Sequence, residues 1–357
     1  MTRQELLIQL HRLHGVFLGL AKWVGLFAFC ERLYRGRLPI LCYHGFGSAE
    51  DSSFRDIFMT ESGFEQRLRW LKENGYCVLP LEQAVNLLNS GELPPRSVVI
   101  TIDDGFASTN QVAAPLLNRY GFPATIYVTT YYVKHSQHPI FRLAIQYLFW
   151  KTKAKTFPLG KFLPGGPESI SVLGREGELG MWQLIEYGET ELGEEQRFHL
   201  FLRVATALQV DTRELLAKKT LHLATPESIS ELARQGFDIQ LHTHRHILPD
   251  SMEELQRELE ENRNALEPLV GKKLHHFCYP SGLWTEAQRD MLESLGIQTA
   301  TTCDERLNGP QSDPLSLGRY CDSDRIPLIE FEAELVGFNQ LNRLNPIKRA
   351  VRKLLGL

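Results

Sequence analysis

The sequence predicts an α/β fold built on a parallel sheet, and three observations predict it. The chain has 357 residues, of which 43% are hydrophobic and 23% charged, a composition typical of folded globular proteins and not of disordered ones. Short apolar runs rich in β-branched residues alternate with stretches whose apolar residues repeat at helical spacing. Capping residues and glycines separate the two kinds of run, as expected for successive strand–helix–strand units.

The predicted strands are short and apolar. A helix follows the first of them, and its Ser62 and Glu65 have the spacing of a capping box. Thr225, Ser251 and Thr285 stand where three later helices are expected to begin. The predicted strands are 38–44, 97–105, 124–130, 237–242, 275–280 and 297–302.

Residues 134–224 interrupt this alternation. They include the Gly/Pro-rich run LGKFLPGGPESI and helical runs such as EEQRFHLFLRVATAL, so we interpret them as a mainly helical insertion beside the core or over its mouth. The predicted segments are an N-terminal amphipathic helical segment (1–37), two parts of one core (38–133 and 225–337), the insertion (134–224) and a basic amphipathic C-terminal helix (338–357).

Both ends of the chain are basic and rich in apolar residues. The formal charge is −4 overall, with +4 in residues 1–37 and +5 in 338–357, so the body between them is acidic. The apolar run 16–30 contains Lys22 and is shorter than the roughly 20 residues of a membrane-spanning helix. Three alternatives follow: peripheral contact with an anionic membrane, a helix packed on the domain, or a true membrane anchor.

Six cysteines are spread singly, with no C-x-x-C or zinc-finger spacing. This pattern favours a reduced, cytoplasmic setting, with peripheral association at the inner membrane face as an extension of the first alternative. No nucleic-acid partner is predicted, and the sequence leaves the oligomeric state open.

Polar residues follow four of the predicted strands directly. Because the carboxyl ends of parallel strands share one edge of the fold, residues placed there are candidates for a common site. They are Tyr43 and His44, Asp103 and Asp104, His242, and Tyr279 with Pro280 and Ser281.

Two histidines and two aspartates in this set have the pattern of a hydrolytic metal site. His242 and His246 are four residues apart, and Asp104 can supply a third ligand that leaves one position open for water. Asp103 is then the neighbouring carboxylate that can take a proton, while His244 is expected to point away if the backbone stays extended through Thr243. Each feature alone also has a plain structural interpretation, as a turn or a hydrogen-bonded histidine.

The same residues resemble the polysaccharide deacetylases, the NodB-homology group or carbohydrate esterase family 4. T-I-D-D-G at 101–105 resembles the family's T-F-D-D-G motif, H-T-H-R-H at 242–246 its H-[ST]-x-x-H motif, and C-Y-P-S-G at 278–282 its R-x-P-[YF]-G segment. The resemblance covers roughly residues 38–133 and 225–325.

The resemblance implies a distorted (β/α) barrel of about seven strands. It also implies that Asp104, His242 and His246 bind a divalent metal ion, usually Zn²⁺, and that Asp103 is the general base. The backbone N–H of Ser281 would help to hold the oxyanion. The implied substrate is an acetylated carbohydrate, N- or O-linked, in the biosynthesis of a surface polysaccharide or glycolipid.

Two departures from the family pattern bear on this expectation. Cys278 occupies the position of the motif arginine that orients the base, and no histidine follows His276, although the family supplies its general acid there. His44 is the first candidate for that acid, with a purely structural histidine as the alternative, and Arg319 is expected to contact the substrate or pair with Asp103. The departures keep two other functions open: hydrolysis of another small amide, and a catalytically weak glycan-binding or assembly protein of the same fold.

Overall fold

The computed structural model describes residues 3–343, and the basic segment from 344 onward lies outside the described residues. The strands are β1 (Ile40–Tyr43), β2 (Gly45–Gly47), β3 (Phe58–Thr60), β4 (Cys77–Val78), β5 (Ser97–Ile102), β6 (Thr125–Val128), β7 (Thr156–Phe157), β8 (Ile170–Ser171), β9 (Asp238–Leu241), β10 (His276–Cys278), β11 (Thr299–Thr301) and β12 (Tyr320–Cys321). The helices are α1 (Arg3–Trp23), α2 (Leu26–Leu33), α3 (Ala49–Phe54), α4 (Glu61–Glu73), α5 (Leu81–Ser90), α6 (Ala114–Tyr120), α7 (Tyr131–Lys134), α8 (Phe141–Lys151), α9 (Gly174–Glu191), α10 (Glu194–Ala207), α11 (Arg213–Lys218), α12 (Pro226–Arg234), α13 (Met252–Val270), α14 (Glu286–Ser294), α15 (Leu328–Leu335) and α16 (Phe338–Arg343).

Seven strands form a curled, parallel half-barrel in the order β11-β10-β9-β6-β5-β1-β12, and β4 pairs beside β5. The predicted distorted barrel of about seven parallel strands is thereby confirmed. The last strand, β12, pairs with the first, β1, so residues far apart in sequence meet in the barrel. Two strands of the sheet, β4 and β12, have two residues each, too few to leave an apolar pattern in the sequence.

Strand β5 lies inside the sheet between β6 and β1, and its six residues are all buried. Its run of β-branched side chains suits a strand that is covered on both faces. Cys42 and Tyr43 of β1 lie beside Thr101 and Ile102 of β5. The two strands therefore end level with each other, which places the residues that follow them at one edge of the barrel.

The predicted N-caps of four helices can be compared with those in the structure. The caps of α12, α13 and α14 are confirmed, since Thr225, Ser251 and Thr285 accept hydrogen bonds from backbone N–H groups of the first turn. The capping box expected for α4 is wrong. Thr60, at the end of β3, caps this helix by accepting from the N–H of Gly63, and Ser62 lies inside the first turn. The helix begins directly from the strand, which leaves no room for a later cap.

Residues 134–224 contain helices α8 to α11 and the β7–β8 hairpin. Leu148, Phe157 and Phe201 belong to the same hydrophobic cluster as Ile100 and Ile126 of the central strands. These helices therefore share the core of the barrel. The domain boundaries given above stay predictions.

The N-terminal helices lie against α15. Leu18, Phe27 and Cys30 form a small separate cluster with Ala333 and Val336. Within residues 3–343, no single helix is long and apolar enough to cross a bilayer; the second half of α1 and α2 reach that composition only as a pair, bent by 75°.

Candidate metal and catalytic site

Three predicted ligands meet at the carboxyl edge of the barrel. The Nε2 atoms of His242 and His246 lie 3.2 and 3.4 Å from Oδ1 of Asp104, and the two imidazole rings are 4.8 Å apart. One ligand atom from each residue lies within 4.8 Å of the others. The expectation that a strand-end aspartate and a histidine pair four residues apart converge is therefore confirmed as geometry.

The backbone is strained where it presents these side chains. Asp104, Thr243 and His246 have φ angles of 67°, 60° and 58°, in the left-handed region that non-glycine residues rarely adopt. Gly105 follows with a φ of 79°, and a Cβ at this position would lie 2.8 Å from a methyl carbon of Val128. The D-D-G turn thus needs glycine both for its dihedral angle and for its close contact with β6.

Helix α13 supports the histidine loop from behind. Oδ1 of the buried Asn262 accepts the backbone N–H of His242 at 3.0 Å, and its Nδ2 donates to the carbonyl of Val128 at 3.0 Å. One turn earlier, Oε2 of Glu258 accepts the backbone N–H groups of His244 and Arg245 at 2.9 and 2.8 Å. Charge-assisted hydrogen bonds of this kind hold the strained loop in place.

The orientation of His242 is set by its second ring nitrogen. Nδ1 lies 2.8 Å from the carbonyl oxygen of Cys278, so Nδ1 carries a hydrogen and Nε2 is the ring nitrogen that faces the site and would bind an ion. His244 has a different environment, since its ring contacts Thr130 at 2.8 Å and Glu261 at 3.4 Å. His244 therefore points away from the site as expected, but the extended backbone assumed at Thr243 is wrong, since its φ is 60°.

Arg319 and Asp103 form a bidentate ion pair inside the barrel. The guanidinium donates from Nη1 and Nη2 to the two carboxylate oxygens, both at 2.7 Å, and from Nε to the carbonyl of Thr302 at 2.9 Å. Arg319 has no exposed surface and Asp103 has 2%. Of the two expectations for Arg319, the structure shows the pairing with Asp103.

Two thiols complete the surroundings of Asp103. Cys42 and Cys278 each donate to Oδ2, with distances of 3.5 and 3.3 Å. Burial raises the pKa of the Cys42 thiol to about 12, so this group stays a protonated donor. Burial alone would raise the pKa of Asp103 as well, but the charge and hydrogen bonds of Arg319 hold it well below the usual value. Asp103 is therefore ionised at neutral pH.

The remaining candidates lie around this pair. Nε2 of His44 is 3.8 Å from Oδ2 of Asp103, and the His44 side chain is 19% exposed. Ser281 follows β10 in a short turn with a φ of 58° and is exposed. His44 and Ser281 thus flank the same edge of the barrel as the ligand cluster.

The donor set of Asp104, His242 and His246 fits a divalent metal ion. One carboxylate and two neutral imidazoles suit zinc and leave a coordination position open. Burial would raise the pKa of Asp104, but without an ion the hydrogen bond from the protonated Nε2 of His242 and the nearby imidazoles lower it to about 2, so it is an ionised acceptor. A bound ion would take the place of that proton on Nε2. Two other clusters of potential ligands share Asp103, whose oxygens are already bound by Arg319.

Sequence reasoning missed Asn262 and Glu258. A signal was present, because both polar residues lie on the face of α13 that carries the buried Leu255, Leu259 and Leu266. A buried polar side chain needs a partner, so a polar residue on an apolar helix face indicates that the helix supports something specific. Only the fold shows that the partner is the histidine loop.

Comparison with known proteins agrees with this geometry. The family model described as "Polysaccharide deacetylase" matches residues 90–164 and 197–300, half of the chain. The Bacillus subtilis protein YxkH is 35% identical over 103 residues, which are 29% of this chain and 35% of that protein. Poly-β-1,6-N-acetyl-D-glucosamine N-deacetylase of Staphylococcus aureus is 31% identical over 85 residues, 24% of this chain and 29% of that protein. The chain thus spans about a third of the length of these curated relatives.

Solved structures show the same fold at low sequence identity. Streptococcus pyogenes deacetylase PplD, in complex with acetate, aligns with a TM-score of 0.55 at 18% identity, covering 84% of this chain and 98% of that one. IcaB from Ammonifex degensii aligns with a TM-score of 0.53 at 17% identity, covering 84% and 97%. From its sequence match, its curled parallel sheet and its converging motifs, the chain belongs to the polysaccharide deacetylase family.

Proposed function

We propose that this chain is a metal-dependent hydrolase that removes acetyl groups from a carbohydrate during the biosynthesis of a surface polysaccharide or glycolipid. The observation that carries the proposal is the ligand cluster of Asp104, His242 and His246 beside the Asp103–Arg319 pair. A glycan-binding protein would need no ionised, oriented carboxylate next to a metal site. The arrangement is that of a hydrolytic centre with a separate base.

The three ligands would hold a divalent ion, with zinc as our first choice. Such an ion supplies a Lewis acid that polarises the acetyl carbonyl and lowers the pKa of a water molecule. The protein fixes the geometry around it: His242 is oriented by the carbonyl of Cys278, and its backbone is held by Asn262. This support keeps the ligand atoms in place before any ion binds.

Asp103 would act as the general base. Arg319 keeps its carboxylate ionised and fixes the plane of its two oxygens, and the buried position keeps bulk water away. The exposed side of the site is flanked by Ser281, whose backbone N–H would donate to the oxyanion that forms at the attacked carbonyl.

His44 would protonate the leaving group. It is the histidine at the end of β1, its Nε2 approaches Asp103 to 3.8 Å, and its side chain is partly open to solvent. A leaving amine needs this proton more than a leaving sugar alkoxide does. Loss of His44 should therefore reduce N-deacetylation more than O-deacetylation.

The substrate test should begin with β-1,6-linked N-acetylglucosamine oligosaccharides, because one relative is named for that polymer. O-acetylated sugars and small acetamides complete the panel and separate the alternative substrates. We expect acetate release by the parent chain, no release by Asp103→Asn with its metal content kept, and loss of metal and activity together in His242→Ala.

A matched control comes from the same loop. His244→Ala removes an imidazole that points away from the site, so it should retain the metal. Acetate release that survives Asp103→Asn would rule out the assigned base. Glycan binding by a parent chain that releases no acetate from any panel member would favour the binding or assembly protein.

We further propose a cytoplasmic location, since all six cysteines are free and two contact Asp103. Oxidation of either thiol would disturb the catalytic pair, and a reducing compartment prevents this. Fractionation of expressing cells should find the chain in the cytosolic and membrane fractions; recovery from the periplasm or the medium would contradict the proposal.

A further inference from the structure

Helices α1 and α2 are apolar on two faces. One face packs against α15 through Leu18, Ala21, Phe27 and Cys30. The opposite face is exposed, although helices on the surface of a globular protein usually present polar residues there. We call this face the apolar stripe; its members are Leu13, Val16, Phe17, Leu20, Trp23, Val24, Leu26, Phe29 and Leu33.

Exposed large hydrophobic residues are concentrated in the apolar stripe. Of the 17 large hydrophobic residues that are exposed in the described part of the chain, nine belong to it. Trp23 is 83% exposed and Phe29 58%. Single exposed apolar residues need no explanation, but a contiguous group marks an interaction surface.

A basic cavity of about 270 Å³ is lined in part by α2, the helix that also carries Leu26, Phe29 and Leu33 of the stripe. Arg32, Arg35, Arg37 and Arg96 line it, and Arg96 pairs with Glu31. The other three form no salt bridge with any residue in the described range 3–343. Three guanidinium groups that follow the exposed Phe29 within eight residues of sequence have the composition of a surface for anionic lipid headgroups.

We propose that the apolar stripe and the arginine cavity together form a docking surface for an anionic membrane. The stripe would enter the boundary between headgroups and acyl chains, and the arginines would bind lipid phosphates. The 75° bend and the contacts with α15 keep the helix pair lying in the surface and not across the bilayer. A symmetric pair of chains fits less well, because the two arginine groups would face each other.

The docking surface lies at the opposite end of the barrel from the ligand cluster. Its cavity is lined by Pro39 and Ser97, at the amino ends of β1 and β5, whereas Asp103 follows the carboxyl end of β5. Asp103 follows Ser97 by six positions along the strand, roughly 20 Å at 3.3 Å per residue. The catalytic edge of a bound chain would thus face the aqueous phase. This orientation, which rests on the proposed function, favours a carbohydrate that extends away from the bilayer over one at headgroup level.

Co-sedimentation with vesicles tests the docking surface without any assay of catalysis. The full chain should bind vesicles of phosphatidylcholine with phosphatidylglycerol and bind pure phosphatidylcholine far more weakly. Trp23→Ser/Phe29→Ser should weaken binding at least about tenfold, since each side chain loses its apolar burial. Arg32→Gln/Arg35→Gln should weaken it about 25-fold, at roughly fivefold for each cation near the surface.

Two matched variants control for surface changes elsewhere. Leu173→Ser/Leu179→Ser removes apolar side chains that are also exposed, and Arg175→Gln/Arg234→Gln removes the same charge from α9 and α12. Both should bind like the parent. Equal binding by the stripe variant and the parent would overturn the proposal. The proposal would also be overturned if light scattering showed that the parent is a dimer, that the stripe variant is a monomer, and that the parent does not bind vesicles.

Quenching by brominated lipids tests the orientation. Trp23 should be quenched in the bound parent, and Trp23→Phe should remove that contribution. Adding Leu283→Trp to Trp23→Phe places the indole after β10, near Ser281, and should give no new quenching. Strong quenching of this double variant would show that the catalytic edge faces the membrane.

Discussion

Replacing Arg319 by methionine should destabilise the protein severely. The guanidinium has no exposed surface, and it makes two 2.7 Å bonds to Asp103 with a further bond to the carbonyl of Thr302. Arg319→Met leaves a carboxylate with 2% exposure and no cationic partner. Breaking one side of such a buried pair costs about 3–5 kcal/mol, a large part of the 5–15 kcal/mol that typically separates folded and unfolded states.

Urea unfolding followed by circular dichroism measures this loss, and a double-mutant cycle isolates its cause. Asp103→Leu should lower the free energy of unfolding by a similar amount, since it leaves the guanidinium unpaired. The double variant Arg319→Met/Asp103→Leu should lose much less than the two single variants lose together. Arg213→Met is the control, because Arg213 binds Asp211 in the same bidentate manner on the surface, and it should change little. A loss under about 1 kcal/mol for Arg319→Met, or strict additivity in the cycle, would refute this reasoning.

The other predictions concern stability at acid pH and the residues that support the ligand cluster. Burial lowers the pKa of His222 from 6.5 to about 4. The unfolded chain therefore binds the proton more tightly than the folded protein, and the free energy of unfolding should fall by up to about 3 kcal/mol as the pH falls from 6.5 to 4. His222→Leu should flatten this part of the pH profile of urea midpoints; an unchanged slope would contradict it. Gly105→Ala should cost about 2–4 kcal/mol through its positive φ and the contact with Val128, and a variant as stable as the parent in thermal unfolding would contradict it. Asn262→Ala should weaken metal binding about 10- to 100-fold by freeing the His242 backbone; titration with zinc measures the loss, and unchanged affinity would argue against the support role.

The parts of the fold that the sequence predicted are those with a strong local signal. The strand 97–105 carries consecutive β-branched residues, and β5 occupies Ser97–Ile102. The caps of α12 to α14 were also predicted, because Thr225, Ser251 and Thr285 act on N–H groups within their own helices. The two-residue strand β12 was missed, since its pairing with β1 depends on residues nearly 280 positions away.

The ligand cluster could be predicted because Asp104 and His242 each follow the end of a predicted strand. Residues directly after parallel strands share one edge of the fold, so Asp104 and His242 were expected at the same edge once β5 and β9 were assigned. The sheet order, with only β6 between β9 and β5, brings them together. The supporting contacts could not be predicted in this way. Asn262 reaches His242 across 20 residues and Glu258 reaches His244 across 14, and only the packing of α13 on the barrel decides which face of the helix meets the loop.

The arginine missing from the motif at Cys278 is replaced in space by Arg319, which comes from a different part of the sequence. Cys278 lies in β10, and its thiol donates a hydrogen bond to Asp103 over 3.3 Å but supplies no positive charge. Arg319 precedes β12, and its Nη2 lies 3.1 Å from that same sulfur. A guanidinium that the motif would supply from one strand thus arrives from another, because a curled sheet directs side chains from several strands into one interior. The same reasoning applies to the proposed general acid: because β1 pairs with β12, a histidine at the end of β1 lies beside the last strand of the sheet. His44 is the residue that the sheet order offers for that role.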